Sequence, residues 1–173
     1  MPASALAALP LTAPVLLGAA GMLAVLAWRD LASRRLPNVW VGAYAASFLL
    51  YAWAAGLGWA QLQAHLLYGA IAFVVMALLF ALRLMGGGDV KLWAALMLWA
   101  GPQGAVTALV IASLGGGLLG VFGWLSQRAM RRKRRPAGAP LLRMLSAARG
   151  VPYGTALAVA GLYQLWTVAM TST

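Results

Sequence analysis

Long apolar stretches with few charges restrict this chain to a small set of folds. The sequence has 173 residues, of which 64% are hydrophobic and only 9% are charged. A soluble domain carries about 25% charged residues, and a helix crosses a bilayer core of about 30 Å with roughly 20 apolar residues. Because lipid offers the backbone no hydrogen-bond partner, such stretches cross it as helices. The composition therefore predicts an all-α membrane protein.

The apolar stretches predict six transmembrane helices in a single domain covering residues 1–173. Helix-breaking residues separate them, among them Pro37, a triple glycine after the third stretch, and Gly101-Pro102. The predicted spans are residues 11–28, 39–57, 62–84, 89–101, 103–125 and 151–170. The fourth is short, about 20 Å at about 1.5 Å per residue. Either its outer end is indented or its first residue, Asp89, lies below the inner membrane surface in a wet cavity, and we favour the second.

The basic residues predict how the chain is oriented. All 13 lie in or beside the connections after the first, third and fifth spans. By the positive-inside rule these connections face the cytoplasm, so both termini are extracytoplasmic. The formal charge of +11 is thus explained by the membrane, and we expect no nucleic-acid partner. A basic cytoplasmic loop at about residues 127–150 is expected to contact anionic lipid. Its densest part is Arg131, Arg132, Lys133, Arg134 and Arg135.

Only two acidic residues occur in the chain, Asp30 and Asp89, and both are predicted at the cytoplasmic side. A structural role is open for each, since Asp89 can cap the helix that it begins and Asp30 can pair with arginines in its own turn. Two facing carboxylates also suit aspartic-type hydrolysis, because like charges in a low dielectric do not both ionise easily. The ionised member activates a water molecule, and the protonated member polarises the scissile carbonyl.

Other residue types narrow the chemistry further. The chain has no cysteine and one histidine, which excludes disulfides, thiol catalysis and cysteine-bound zinc. We therefore expect neither a metal ion nor a cofactor. Lys91 either serves the site or extends to lipid headgroups. Asn38 either hydrogen-bonds the turn at the site or, as we expect, caps the second span. Residues 115–117, three glycines, are expected to pack helices together, and Trp99 is expected in an outer aromatic belt.

Three segments carry a resemblance to a known family. Gly86-Gly87-Gly88-Asp89-Val90-Lys91-Leu92 resembles the GxGD motif, in its extended form GxGDxKL, of the type IV prepilin peptidases. Asp30 and the Pro37-Asn38 that follows it resemble that family's first aspartate segment, and Pro152-Tyr153-Gly154 is similar to the opening of its last span. The resemblance implies that Asp30 and Asp89 are catalytic. The residues expected to shape the site or position the substrate are Gly86, Gly87, Gly88, Lys91, Pro37, Asn38, Pro152, Tyr153 and Gly154.

The resemblance implies a function as well. A member of this family is a membrane aspartic endopeptidase that removes the basic leader from prepilin-like proteins after a glycine. It does so at the cytoplasmic face of the bacterial inner membrane, as a multi-pass protein. The substrate carries a hydrophobic N-terminal segment, and pilus or secretion machinery is an expected partner.

Departures from the family pattern refine this expectation. The chain lacks the cysteine-containing insertion of larger members, so N-methyltransferase activity is predicted to be absent. Its small size looks like the short branch that serves Flp/Tad-type pili. Two other classes stay open, namely a small proton or cation transporter and a non-catalytic subunit of pilus assembly.

Overall fold

The computed structural model describes residues 3–132 and 152–171, and it describes side chains for residues 11–128 and 152–171. All regular secondary structure in these ranges is helical, which confirms the predicted all-α class. The helices are α1 (Ala3–Ser33), α2 (Asn38–Ala54), α3 (Trp59–Ala81), α4 (Gly87–Arg132) and α5 (Tyr153–Thr171).

Three of these helices contain segments that are long and apolar enough to cross a membrane. Among the described residues these segments are Leu11–Ser33, Trp59–Ala81 and Gly87–Arg128. Helices α2 and α5 are shorter, with 17 and 19 residues. Many large apolar side chains on the helices remain exposed, for example Leu78 and Val106. Because such a surface is suited to lipid and not to water, the protein is a membrane protein.

Helix α4 is interrupted at Gly101. This residue has φ 56° and ψ −164°, which are not helical, and Pro102 follows it. Tyr153 of α5 contacts both Trp93, before the break, and Gly116, after it. A straight helix would separate those two positions by about 35 Å. The chain therefore reverses direction at Gly101, between the predicted fourth and fifth spans, and the two halves of α4 lie side by side.

The core forms around the first half of α4, which packs against α2, α3 and α5. Trp93, Leu96 and Trp99 on this half are almost completely buried. Trp99 stacks on Tyr44 of α2, and its indole Nε1 donates a hydrogen bond of 3.0 Å to the Tyr44 carbonyl. The prediction of an outer belt position for Trp99 is therefore wrong. An apolar stretch in sequence does not distinguish a face that meets lipid from one that meets another helix.

Small residues bring the second half of α4 close to α5. A methyl group added at Gly115 would lie 3.2 Å from Ala156 Cβ, and one added at Gly116 would collide with the Tyr153 ring. A methyl group at Gly117 would meet no neighbouring atom within 4 Å. The predicted packing role is therefore confirmed for the first two glycines of this run.

The predicted basic loop at residues 127–150 is only partly described. Helix α4 continues to Arg132, so residues 127–132 are helical and the prediction of a loop there is wrong. The run Gln127 to Arg132 consists mainly of residues that favour helix, which explains the extension. The side chains of Arg131 and Arg132 are not described, and Lys133, Arg134 and Arg135 lie outside the described residues.

Candidate active site

Asp30 and Asp89 line the same cavity, although they belong to different helices. The cavity has a volume of about 1290 Å³. Its walls come from the end of α1 and the turn after it, the connection from α3 to α4, and the start of α5. The lining residues are Arg29, Asp30, Ser33, Arg34, Arg35, Leu36, Pro37, Asn38, Arg83, Leu84, Met85, Gly86, Gly87, Gly88, Asp89 and Tyr153. The two carboxyl groups are close enough for the charge on Asp30 to act on Asp89.

Asp30 lies on the last turns of α1, and α5 holds its carboxylate. The residue is only 5% exposed. The Thr155 backbone N–H and the Thr155 hydroxyl both donate to Asp30 Oδ2, at 2.8 and 3.0 Å. The Gly154 N–H also donates to this carboxylate, and the Arg34 charge lies close to it. The expected pairing within the turn therefore contributes through Arg34, but the hydrogen bonds to Oδ2 come from α5, 125 positions away in sequence.

Gly88 and Gly154 both lie close to Leu36, and Gly154 also lies close to Asp30. A methyl group added at Gly154 would lie 3.0 Å from both Asp30 Cγ and Leu36 Cδ1. One added at Gly88 would lie 3.0 Å from Leu36 Cβ. These distances are tighter than ordinary van der Waals contact. Leu36 is thus held between the starts of α4 and α5, and this contact brings the two aspartate segments together.

Asp89 occupies the first turn of α4. Its carboxylate accepts a hydrogen bond from the Gly86 backbone N–H, and its Oδ2 lies 3.0 Å from the position of a methyl group added at Gly86. Tyr153 lies near enough for the Asp89 charge to act on the phenol group. Asp89 therefore holds the glycine turn in place, as the capping interpretation suggested, and it also faces the cavity.

Lys91 and Asn38 form a link between α4 and α2. The Lys91 ammonium donates a hydrogen bond of 3.0 Å to Asn38 Oδ1. Pro37 is the N-cap of α2, and no side chain caps the helix. The prediction that Asn38 caps the second span is therefore wrong, because its amide oxygen is engaged by Lys91. Among the described residues, Asn38 lines the aspartate cavity and Lys91 does not, so Lys91 reaches the site through Asn38.

The start of α5 contributes more residues to the site than the sequence indicated. Pro152 is fully buried, and the Tyr153 ring packs at 6.4 Å from Trp93 while lining the cavity. Sequence reasoning missed Thr155 and the role of Leu36. Thr155 directly follows the Pro-Tyr-Gly segment, in the first turn of a helix. A hydroxyl there is an ordinary feature, and only the packing of α1 against α5 reveals its partner.

Comparison with known proteins adds one finding. A model of the type IV leader peptidase family matches residues 17–121, which is more than half of the 173 residues. The matched range includes Asp30 and Asp89 and ends before Thr155. No curated protein and no solved structure matches the chain.

Proposed function

Because the chain belongs to the type IV leader peptidase family, we propose that it cuts the basic leader from prepilin-like proteins with Asp30 and Asp89 as its catalytic pair. The family implies a membrane protease with activity of the prepilin-leader type. The observation that carries the assignment of residues is that both carboxylates line one cavity. No other acidic residue exists in the chain.

The hydrogen bonds support different roles for the two carboxyl groups. Asp30 accepts bonds from the Thr155 N–H, the Thr155 hydroxyl and the Gly154 N–H, and the Arg34 charge lies nearby. Donors and a positive charge favour an ionised carboxylate. Asp89 accepts one backbone N–H, from Gly86, and faces the negative charge of Asp30. We therefore assign the charge to Asp30 and the shared proton to Asp89.

In the proposed reaction, Asp30 takes a proton from water as the water oxygen attacks the scissile carbonyl carbon. Asp89 donates its proton to the carbonyl oxygen, so no full negative charge develops there. When the tetrahedral intermediate collapses, the C–N bond breaks, and the leaving amine nitrogen receives the proton held by Asp30. The carbonyl re-forms, Asp89 recovers its proton, and both carboxyl groups return to their starting states.

The charge of the cavity indicates which part of the substrate binds it. Four arginines, Arg29, Arg34, Arg35 and Arg83, line the cavity together with the two aspartates. Like charges repel, so the basic side chains of a leader gain nothing from this wall. We therefore expect the basic residues of the leader to point to the aqueous phase. Binding affinity must come from the other side of the scissile bond.

We also propose the finer features that the sequence predicts. A single domain, residues 1–173, would cross the bacterial inner membrane six times with both termini outward and the aspartate cavity at the cytoplasmic face. Cleavage would follow a glycine in Flp/Tad-type substrates, with pilus or secretion machinery as a partner. The basic cluster Arg131–Arg135 would bind anionic lipid. N-methyltransferase activity would be absent, because the chain has no cysteine for the insertion found in larger members.

The test is mass spectrometry of a co-expressed prepilin-like substrate. Asp30→Asn and Asp89→Asn, which keep side-chain shape, should each leave the substrate uncut while the variant inserts at the normal level. Gly117→Ala is the matched control, because its added methyl meets no neighbouring atom within 4 Å. The product mass reports the position of the cut and any added methyl group.

The alternatives give different results in the same system. Full processing by either Asn variant would refute the catalytic pair. Ion flux in reconstituted vesicles without cleavage would favour a transporter. Pilus assembly restored by the double Asn variant would favour a non-catalytic assembly subunit.

A further inference from the structure

A second cavity, here called the lateral groove, lies between α2 and α3. It has a volume of about 440 Å³ and is lined almost entirely by apolar atoms. Gly42 and Ala45 form its α2 side, Ala70 and Phe73 its α3 side, and Ala94 its floor on α4. Helices α2 and α3 each pack against α4. Beyond the groove they also meet each other, where the Phe48 ring of α2 stacks on His65 of α3 with centroids 4.9 Å apart. The groove is therefore a gap that opens sideways from the helix bundle.

The position of the groove restricts what can fill it. Its α3 wall lies in the middle of Trp59–Ala81, one of the segments able to cross a membrane. At that depth no water satisfies backbone groups, so a polypeptide there must be helical. The lining on α2 and α4 includes Gly42, Ala45, Ala94 and Ala95, and small residues let a second helix approach closely. A methyl group added at Gly42 would meet no neighbouring atom within 4 Å.

The groove adjoins the aspartate cavity at Asn38. Asn38 lines both, so a polypeptide bound in the cavity lies next to the groove at this residue. From Asn38 to Ala45 the α2 wall spans eight residues, a rise of about 10 Å, which is two turns of a helix. The arginines of the cavity oppose a basic leader, which leaves the apolar side of the scissile bond as the segment that binds.

We propose that the lateral groove binds the first two turns of the substrate's apolar membrane helix, the segment that follows the cut. This inference rests on the proposed function. The groove fixes the depth of the substrate helix, and the peptide bond just before the helix then lies in the cavity between Asp30 and Asp89. Substrate recognition is thus separated from catalysis, with the helix bound between α2 and α3 and the chemistry carried out at the end of α1 and the start of α4.

The test fills the groove without disturbing the bundle. Gly42→Leu adds a side chain within the groove, and Gly21→Leu adds the same side chain on α1; a Cβ at either position meets no neighbouring atom within 4 Å. Cleavage is measured for two substrates, one with its membrane helix and one short peptide spanning the leader junction. Gly42→Leu should raise KM for the helix-bearing substrate by about tenfold or more. It should leave the short peptide unaffected, and Gly21→Leu should change neither.

The outcomes separate the groove from the proposed function. If the wild-type protein cuts neither substrate, the proposed function fails and the groove assignment fails with it. If the wild-type protein cuts the helix-bearing substrate and Gly42→Leu leaves its KM unchanged, only the groove assignment fails. Equal losses on both substrates also overturn the assignment, because they show that the substitution disturbs the cavity.

Disulfide trapping supplies an independent measurement that does not require the short peptide to be cut. The chain has no cysteine, so Gly42→Cys or Gly21→Cys introduces a single thiol. With Asp30→Asn preventing cleavage, mild oxidation should link position 42, but not position 21, to a cysteine in the first two turns of the substrate helix. Equal trapping at both positions, or none at position 42, overturns the proposal. The latter result is expected if only a lipid acyl chain fills the groove.

Discussion

Replacing Thr155 by valine removes one hydrogen bond from the Asp30 carboxylate and keeps the shape of the side chain. The lost bond is the 3.0 Å contact from the hydroxyl to Oδ2. The 2.8 Å bond from the Thr155 backbone N–H to the same oxygen remains. We therefore expect Asp30 to stay near its position but to lose part of the stabilisation of its charge. Thr155→Ser, which keeps the hydroxyl, is the matched control.

The structure sets the size of the effect. Hydrogen bonds to charged groups contribute about 1.5–3 kcal/mol, and about 1.4 kcal/mol is a factor of ten in rate. Because Asp30 is only 5% exposed, water does not readily replace the lost donor. The remaining N–H compensates in part, so the lower limit applies and kcat should fall about tenfold. KM should change little, since the Thr155 hydroxyl bonds to Asp30 and not to substrate.

The assay is steady-state cleavage of a purified prepilin-like substrate by enzyme reconstituted in lipid. Thr155→Ser should retain kcat within about threefold. Thermal unfolding in detergent reports whether Thr155→Val is destabilised. A kcat for the valine variant equal to wild type would refute the view that Thr155 positions Asp30. A fall in folded protein with unchanged kcat would assign Thr155 to packing alone.

Two further substitutions test other contacts of the site. Gly154→Ala should lower kcat by about tenfold or more, because the added methyl lies 3.0 Å from the Asp30 carboxyl carbon and must displace it. Gly117→Ala is the control and should leave kcat unchanged, since its methyl meets no neighbouring atom within 4 Å. Equal rates for the two variants would count against the close packing at Gly154. Lys91→Met and Asn38→Ala should each reduce kcat/KM about threefold, since their bond is exposed to solvent. Because both break one link, the double variant should be no slower than either single variant, whereas multiplied losses would show that the two residues act separately.

The sequence predicted the elements of the candidate site better than their contacts. Chain direction alternates from one membrane span to the next, so the end of the first span and the start of the fourth are expected on the same side of the membrane. The structure places Asp30 and Asp89 in one cavity, as that reasoning required, and their catalytic role stays a prediction. The positions of Pro37, the glycine turn and Tyr153 also follow from short motifs beside chain breaks.

The contacts that the sequence did not predict depend on which helices pack against each other. Trp99 is apolar and near the predicted end of a span, a pattern that is equally typical of a lipid belt and of a protein core. Asn38 begins a helix, where capping is common. Because α4 packs beside α2, however, the Asn38 amide oxygen accepts a hydrogen bond from Lys91. Thr155 carries no motif of its own. Each of these roles is set by pairs of residues far apart in sequence, and a single sequence contains no direct record of such pairs.

The dependence of Asp30 on Thr155 has a consequence for biosynthesis. A ribosome produces α1 first and α5 last, so the donors for the first aspartate are made only after the remainder of the described helices. An emerging chain that has inserted α1 to α4 carries both acidic residues but lacks the backbone and hydroxyl groups that hold one of them. On the proposed function, we therefore expect a chain that has not yet made α5 to be unable to cleave its substrate.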